Sequence, residues 1–104
     1  MPAPKIRSLL VRPYTFTPKR SAEVEEFSFD YRFWLAKNEK IESVEFLVEK
    51  GNIELIGSPR IIDDKIVSQI VGGGTIGEIA VFACVIKTSA NREEKTEGCI
   101  SILE

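Results

Sequence analysis

Three glycines in the stretch IVGGGTIGEIAVFACVIKTS, residues 70–89, fall on the spacing G-x-G-x-x-G: Gly72, Gly74 and Gly77. That spacing cradles a dinucleotide pyrophosphate when a strand leads into it and a helix N-terminus leaves it, within a βαβ unit of about 30 residues. The segment after Gly77, EIAVFACVIKT, is instead rich in β-branched residues. Beyond it the chain has room only for a turn and one more strand. No Lys-Ser or Lys-Thr pair directly follows the glycines, where a phosphate-gripping loop needs one. Gly72-Gly73-Gly74 is therefore expected to reverse the chain tightly between two strands through positive φ, and no cofactor is expected.

Other residue types that could do chemistry lack partners. The chain has no His, which removes the commonest general base and the commonest zinc ligand. Asp63-Asp64 and Glu93-Glu94 are adjacent pairs in expected turns, where neighbouring carboxylates do not converge on one substrate. Cys84, Ser68 and Thr75 have no base beside them in the pattern. No catalytic or metal-binding residue is assigned, and no enzyme is expected. Cys84 and Cys99 belong to the last two expected strands. One hairpin register sets them opposite each other. The register shifted by one residue pairs Phe82 with Ile100 and Ile86 with Thr96, buries more apolar surface and sends the cysteines to opposite faces. Free thiols are the expectation.

The elements that would carry these residues read as strands. In EFSFDYRFWL, residues 26–35, Phe27, Phe29, Tyr31 and Phe33 recur at every second position, the signature of a half-buried strand. IESVEFLVEKG, residues 41–51, puts Val44, Phe46 and Val48 on one face, and Gly51-Asn52 turns the chain. IELI (53–56) ends at Gly57-Ser58-Pro59, with a short strand following over 60–62. KIVSQIV (65–71) sets Ile66, Ser68 and Ile70 together. The long 78–88 segment, the turn SANREE and the closing KTEGCISIL complete six or seven strands, with turn signals every 8–12 residues. The pattern predicts an antiparallel sandwich or barrel.

At 104 residues the chain is long enough for one domain with one core. No apolar run approaches the roughly 18 residues of a membrane-spanning helix, and the patch Leu9–Val11 is too short for a signal sequence. The expected setting is a cytoplasm, unless the protein leaves it within an assembly. Charge is uneven. Residues 1–20 hold Lys5, Arg7, Arg12, Lys19 and Arg20 and no acid, so all sixteen acids lie beyond them. Four prolines in this segment favour an extended path. We read residues 1–20 as a basic extended arm, with Arg7 and Arg12 as candidates to dock on another subunit, and 21–104 as the β domain. Beyond Tyr14 and Phe16 the arm lacks interleaved aromatics, which speaks against nucleic-acid binding.

The 78–88 strand gives the sharpest inference. Ala80, Phe82, Cys84 and Ile86 form a core face, yet the opposite face, Ile79, Val81, Ala83 and Val85, is apolar too. A sheet with one wet face alternates apolar with polar. Ile79, Val81 and Val85 are therefore candidate interface residues, covered by another subunit or by the arm.

The same stretch resembles a known family. GGGTIGEIAVFACVIKTSANREEKTEGCISI, with the strand before it, looks like the C-terminal half of the phage fiber-tail adaptor proteins. PKRSAEVEEFSFDY and IESVEFLVEKG resemble that family's entry segment and next strand, so the similarity runs over residues 18–104. The resemblance implies an all-β, immunoglobulin-like sandwich of about seven strands. It also implies a structural role in a phage particle, as connector, adaptor or decoration subunit. The expected partners are then other virion proteins and further copies of the chain, assembled in the host bacterial cytoplasm. The competing expectation is a ligand- or carbohydrate-binding module, which would display exposed aromatics, here reduced to Trp34 and Tyr14.

Overall fold

The computed structural model describes residues 14–16 and 18–104, with Tyr14 described by its backbone alone. Eight strand segments form among them: β1 (Tyr14–Thr15), β2 (Lys19–Arg20), β3 (Glu25–Asp30), β4 (Ile41–Lys50), β5 (Ile53–Ile62), β6 (Ile66–Gly73), β7 (Ile79–Thr88) and β8 (Glu93–Leu103). No described residue is helical. β1 and β2 both run parallel to β8 along its outer edge, Tyr14 beside Gly98 and Lys19 beside Ile102. They act as one interrupted edge strand, so the fold is a seven-strand sandwich. One sheet is β1/β2–β8–β7–β4 and the other β3–β6–β5. The arm residues that the structure describes are thus extended, and they lie along the larger sheet.

Alternation drives the core, as expected. Phe27 and Phe29 on β3, Val67 and Val71 on β6, Phe46 on β4 and Ala80, Phe82, Cys84 and Ile86 on β7 all point inward and are buried. Phe82 sits at the centre of an aromatic pile, its ring centroid 5.6–6.0 Å from those of Phe16, Phe27, Phe29 and Phe46. Such pairs add about 0.5–1.5 kcal/mol each beyond the area they bury. Gly98, opposite Phe82 on β8, makes the room for Phe16. A Cβ there would come within 2.5 Å of the Phe16 ring.

Four local expectations are corrected. The strand read over 26–35 ends at Asp30. Trp34 and Leu35 donate their N–H groups to the Tyr31 carbonyl, a helix-like turn that changes the period, so Trp34 is buried and Phe33 is thrown into solvent. Residues 53–62 form one strand rather than two, with Gly57-Ser58-Pro59 absorbed as a bulge. The glycine cluster closes no hairpin. It carries the chain from β6 in one sheet to β7 in the other, with Gly73, Gly74 and Gly77 at positive φ. At Gly74 a Cβ would meet the Ile102 side chain at 2.8 Å. Finally, the β7–β8 register lies two residues from the expected one, pairing Phe82 with Gly98 and Cys84 with Thr96. The physical reason is the compact turn, in which Asn91 takes φ 61° and donates to Thr88 O while Thr88 N–H donates to Arg92 O. A two-residue slip preserves the faces. Cys84 therefore points inward and Cys99 outward, and both are free.

Candidate interaction surfaces

The outer face of the larger sheet is apolar along β7. Ile79 is 54% exposed, Val81 and Val85 are half-buried, and Leu47 beside Ala83 and Leu103 at the end of β8 extend the patch. Ala83 is buried although it faces outward, because Glu49 of β4 and Lys95 of β8 meet across β7 at 2.6 Å. Glu97 hydrogen-bonds to Glu49 in the same group. That bond, with Lys95, holds the Glu49 carboxyl below its ordinary value, and the same bond raises that of Glu97. The structure thus brings Ile79, Val81 and Val85 together on one face. Arg7 and Arg12 lie outside the described residues.

The smaller sheet has an outer apolar patch that the sequence reading missed. Val24, Ile56 and Ile70 are exposed around Gly72. A Cβ at Gly72 would lie 2.8 Å from Ile56 and 3.4 Å from Val24, so the glycine lets these side chains close over the strand. The available signal was Ile70, two residues before Gly72 and on the same face as Ser68. Beside this patch, Ser68 is buried beneath an ion pair. Its hydroxyl donates to Glu26 at 2.7 Å, and Arg60 reaches the same carboxylate at 2.5 Å. Both contacts lower the Glu26 pKa.

Buried polar groups pin the ends of the sandwich. Lys19 is 1% exposed, and its ammonium donates to the carbonyls of Arg20 (2.7 Å), Ser21 (3.4 Å) and Gly73 (2.6 Å). It fastens the edge strand to the glycine crossover. At the other end, Arg92 grips Glu39 through Nε (2.9 Å) and a terminal nitrogen (2.6 Å) and lies 3.9 Å over the Trp34 ring. Thr88 and the Ala36 N–H also donate to Glu39. The Arg92 hydrogen bonds, helped by these donors, hold the Glu39 pKa at about 2. Nothing in the sequence marked Glu39 or Lys19 as buried.

None of the catalytic candidates assembles. Glu93 and Glu94 are consecutive on β8 and point to opposite faces, Glu93 exposed and Glu94 buried. Asp63 and Asp64 occupy an exposed turn at positive φ. Cys84 is pushed up to about 12 by burial, so it carries no thiolate at neutral pH. The Tyr31 hydroxyl beside it donates to Thr96 at 2.7 Å. Among the described residues, no group of His, Cys, Asp and Glu could hold a metal ion. The aromatic expected at the surface is also corrected: Trp34 is 3% exposed and Phe33 is 83% exposed.

Two strand layers around one aromatic core define an immunoglobulin-like β-sandwich, with apolar patches on both outer faces. Comparison with solved structures gives the same fold. The PKD domain from KIAA 1837 protein matches with a TM-score of 0.50 at 14% identity, covering 89% of this chain and 82% of that one. No curated protein matches. The family model described as "Podophage GP4 fiber-tail adaptor protein gp77" matches residues 19–101. The chain belongs to that family of phage tail structural proteins, and it is a virion component.

Proposed function

We infer that this chain is a non-enzymatic adaptor subunit of a phage tail, joining neighbouring virion proteins by surface contact. The observation that carries this reading is the doubly apolar β7, whose outer face presents exposed Ile79 and half-buried Val81 and Val85 in the single chain. An unpartnered apolar strip of this kind marks a protein contact. The family supports the tail setting. Basic Arg7 and Arg12 supply a second contact, between copies of the chain within the particle. The two thiols are free, as suits assembly in the host cytoplasm. The test is Val81→Asp. Val81 lies on the outer face and not in the core, so the subunit should stay folded yet fail to enter particles in a complementation assay. Incorporation at the wild-type level would overturn the outer-face reading.

A further inference from the structure

Four sheet edges exist among the described residues, and three are blunted. β4 carries extra residues at Glu42 and Glu49, where its register shifts against β7. β5 carries the Gly57-Ser58-Pro59 bulge. The β1/β2 edge is interrupted and contains Pro18. Bulges, prolines and inserted charges are the usual means of stopping a sheet from adding a strand. β3 has neither bulge nor proline, and its charges, Glu25, Glu26 and Asp30, are all acidic. Its six residues pair with β6 in unbroken register. Tyr31 donates its N–H to Lys65 across that pairing, so by alternation Phe27 and Phe29 face β6 while Glu26, Ser28 and Asp30 turn their N–H and C=O groups the other way. Those groups make no backbone hydrogen bond among the described residues.

The unpaired edge borders a seam between the two sheets. Two clefts of about 530 and 280 Å³ lie along it, walled by Pro18, Phe16 and Ser28, with Phe27, Phe29 and Asp30 beneath and beside them. Backbone donors and acceptors on one wall and an aromatic floor are what an added strand requires. Glu23 and Glu25 stand at one mouth. At the other, beyond Thr15 and Asp30, the chain's residues 1–13 are attached through Tyr14. That segment carries Lys5, Arg7 and Arg12, no acid, and the run Ile6 to Val11. Extended, thirteen residues span about 43 Å, while the β3 edge is about 20 Å long.

We propose that the β3 edge and its seam take residues 1–13 of a neighbouring copy as an added strand. This deepens, and rests on, the reading of the chain as a subunit that contacts its own kind. The turn chemistry argues for a neighbour. A tight reversal directly before Tyr14, which β1 already holds extended, would put Pro13 at the third turn position, where proline is disfavoured. A longer reversal would spend Leu9 to Val11 on the loop and leave the Pro4 segment to pair, which lacks a donor there.

The test uses full-length chains with Cys99→Ser. One carries Ser8→Cys, the other Glu25→Cys, and the mixture is treated with a short bismaleimide. A crosslinked dimer with one of each is expected. It should vanish when Ser28→Pro is added to the acceptor chain, a change that removes an outward N–H and leaves the β6 ladder intact. It should vanish equally with Leu9→Asp/Leu10→Asp in the donor, a change that leaves the acceptor's β3 untouched and so guards against misfolding of the proline variant. A chain bearing both cysteines that crosslinks only within itself would overturn the proposal, as would a mixture that yields no dimer. Val81→Asp should leave the crosslink intact, so loss of the outer-face contact and loss of the strand exchange are told apart.

Discussion

The two edges of the smaller sheet handle the same physical problem in opposite ways. Both flank β6, and both present a row of backbone groups to one side. On β5 the row is broken. Three residues, Gly57-Ser58-Pro59, stand opposite the single Gln69, and the buried Gln69 amide donates to the carbonyls of Ile56 (3.0 Å) and Gly57 (3.2 Å). The edge is bent, lacks a donor at Pro59 and has its inward carbonyls satisfied from within. On β3 the row is regular, and its outward groups face an aromatic seam. An edge left regular in a chain that blunts the others is one for which pairing is useful rather than hazardous.

Acid should separate the two edges most strongly. β3 runs into the 31–40 loop, which is held by Glu39 and Arg92, whereas the β5 bulge is held by an uncharged amide. Glu39 titrates at about 2 in the folded chain, against an ordinary 4.5. A depressed folded pKa means that its stabilisation is complete above the unfolded value and is lost as pH falls through the window from about 5 to 2. The size is about 3 kcal/mol. Unfolding free energy measured in urea should fall over that window, and Glu39→Gln should remove most of the slope at a cost of similar size at pH 7. Hydrogen exchange should quicken first at residues 31–39 and not at 56–60. A pH profile identical in Glu39→Gln and wild type would show that the loop is held by other means.

Breaking the blunted edge should cost less. Gln69→Leu keeps volume and removes the donor that serves Ile56 and Gly57. The expected loss is about 1–3 kcal/mol for carbonyls left without a partner. The informative result is local: amides of 57–60 should exchange faster while those of β3 do not. If the variant also self-associates through β5, the bulge needs Gln69 to remain a barrier. If β3 loosens equally, the sheet responds as one unit and the contrast between its edges is thermodynamically empty.

These differences were legible unevenly. Period-two aromatics at Phe27, Phe29 and Tyr31 made β3 and the all-β class plain, since side chains on a strand must alternate. The double apolar face of β7 was plain for the same reason. The pattern could not tell where β3 stops, because Phe33 continues the alternation that the Tyr31 turn ends, and burial passes to Trp34. It could not tell a bulge from a strand end at Gly57-Ser58-Pro59, which have turn chemistry in either case. β1 and β2 carry no alternation at all; their position depends on β8 leaving Gly98 open for Phe16, a match between segments some eighty residues apart. The register of β7 on β8 turned on Asn91 adopting positive φ in place of a glycine. The outward Ile79, Val81 and Val85 were read correctly as sharing a face. The β3 edge was not read as an edge, since strand order is a property of the whole sheet.

The smallest effect is expected where the two edges are tied together. Arg60 on β5 reaches over Ser68 on β6 to Glu26 on β3, and both ionic side chains are largely in solvent, at 62% and 40% exposure. Exposed pairs of this kind contribute about 0–1 kcal/mol and weaken with salt. Arg60→Met should therefore leave stability nearly unchanged, and any deficit should shrink in high salt. The same change leaves Glu26, whose backbone groups lie on the open edge, with its Ser68 hydrogen bond, and it removes the ion pair that links that edge to the blunted one. If β3 accepts a strand independently of β5, crosslinking between copies should proceed in Arg60→Met as in the wild type. Loss of the crosslink at unchanged stability would mean that the tie across β6 is what keeps β3 straight enough to pair.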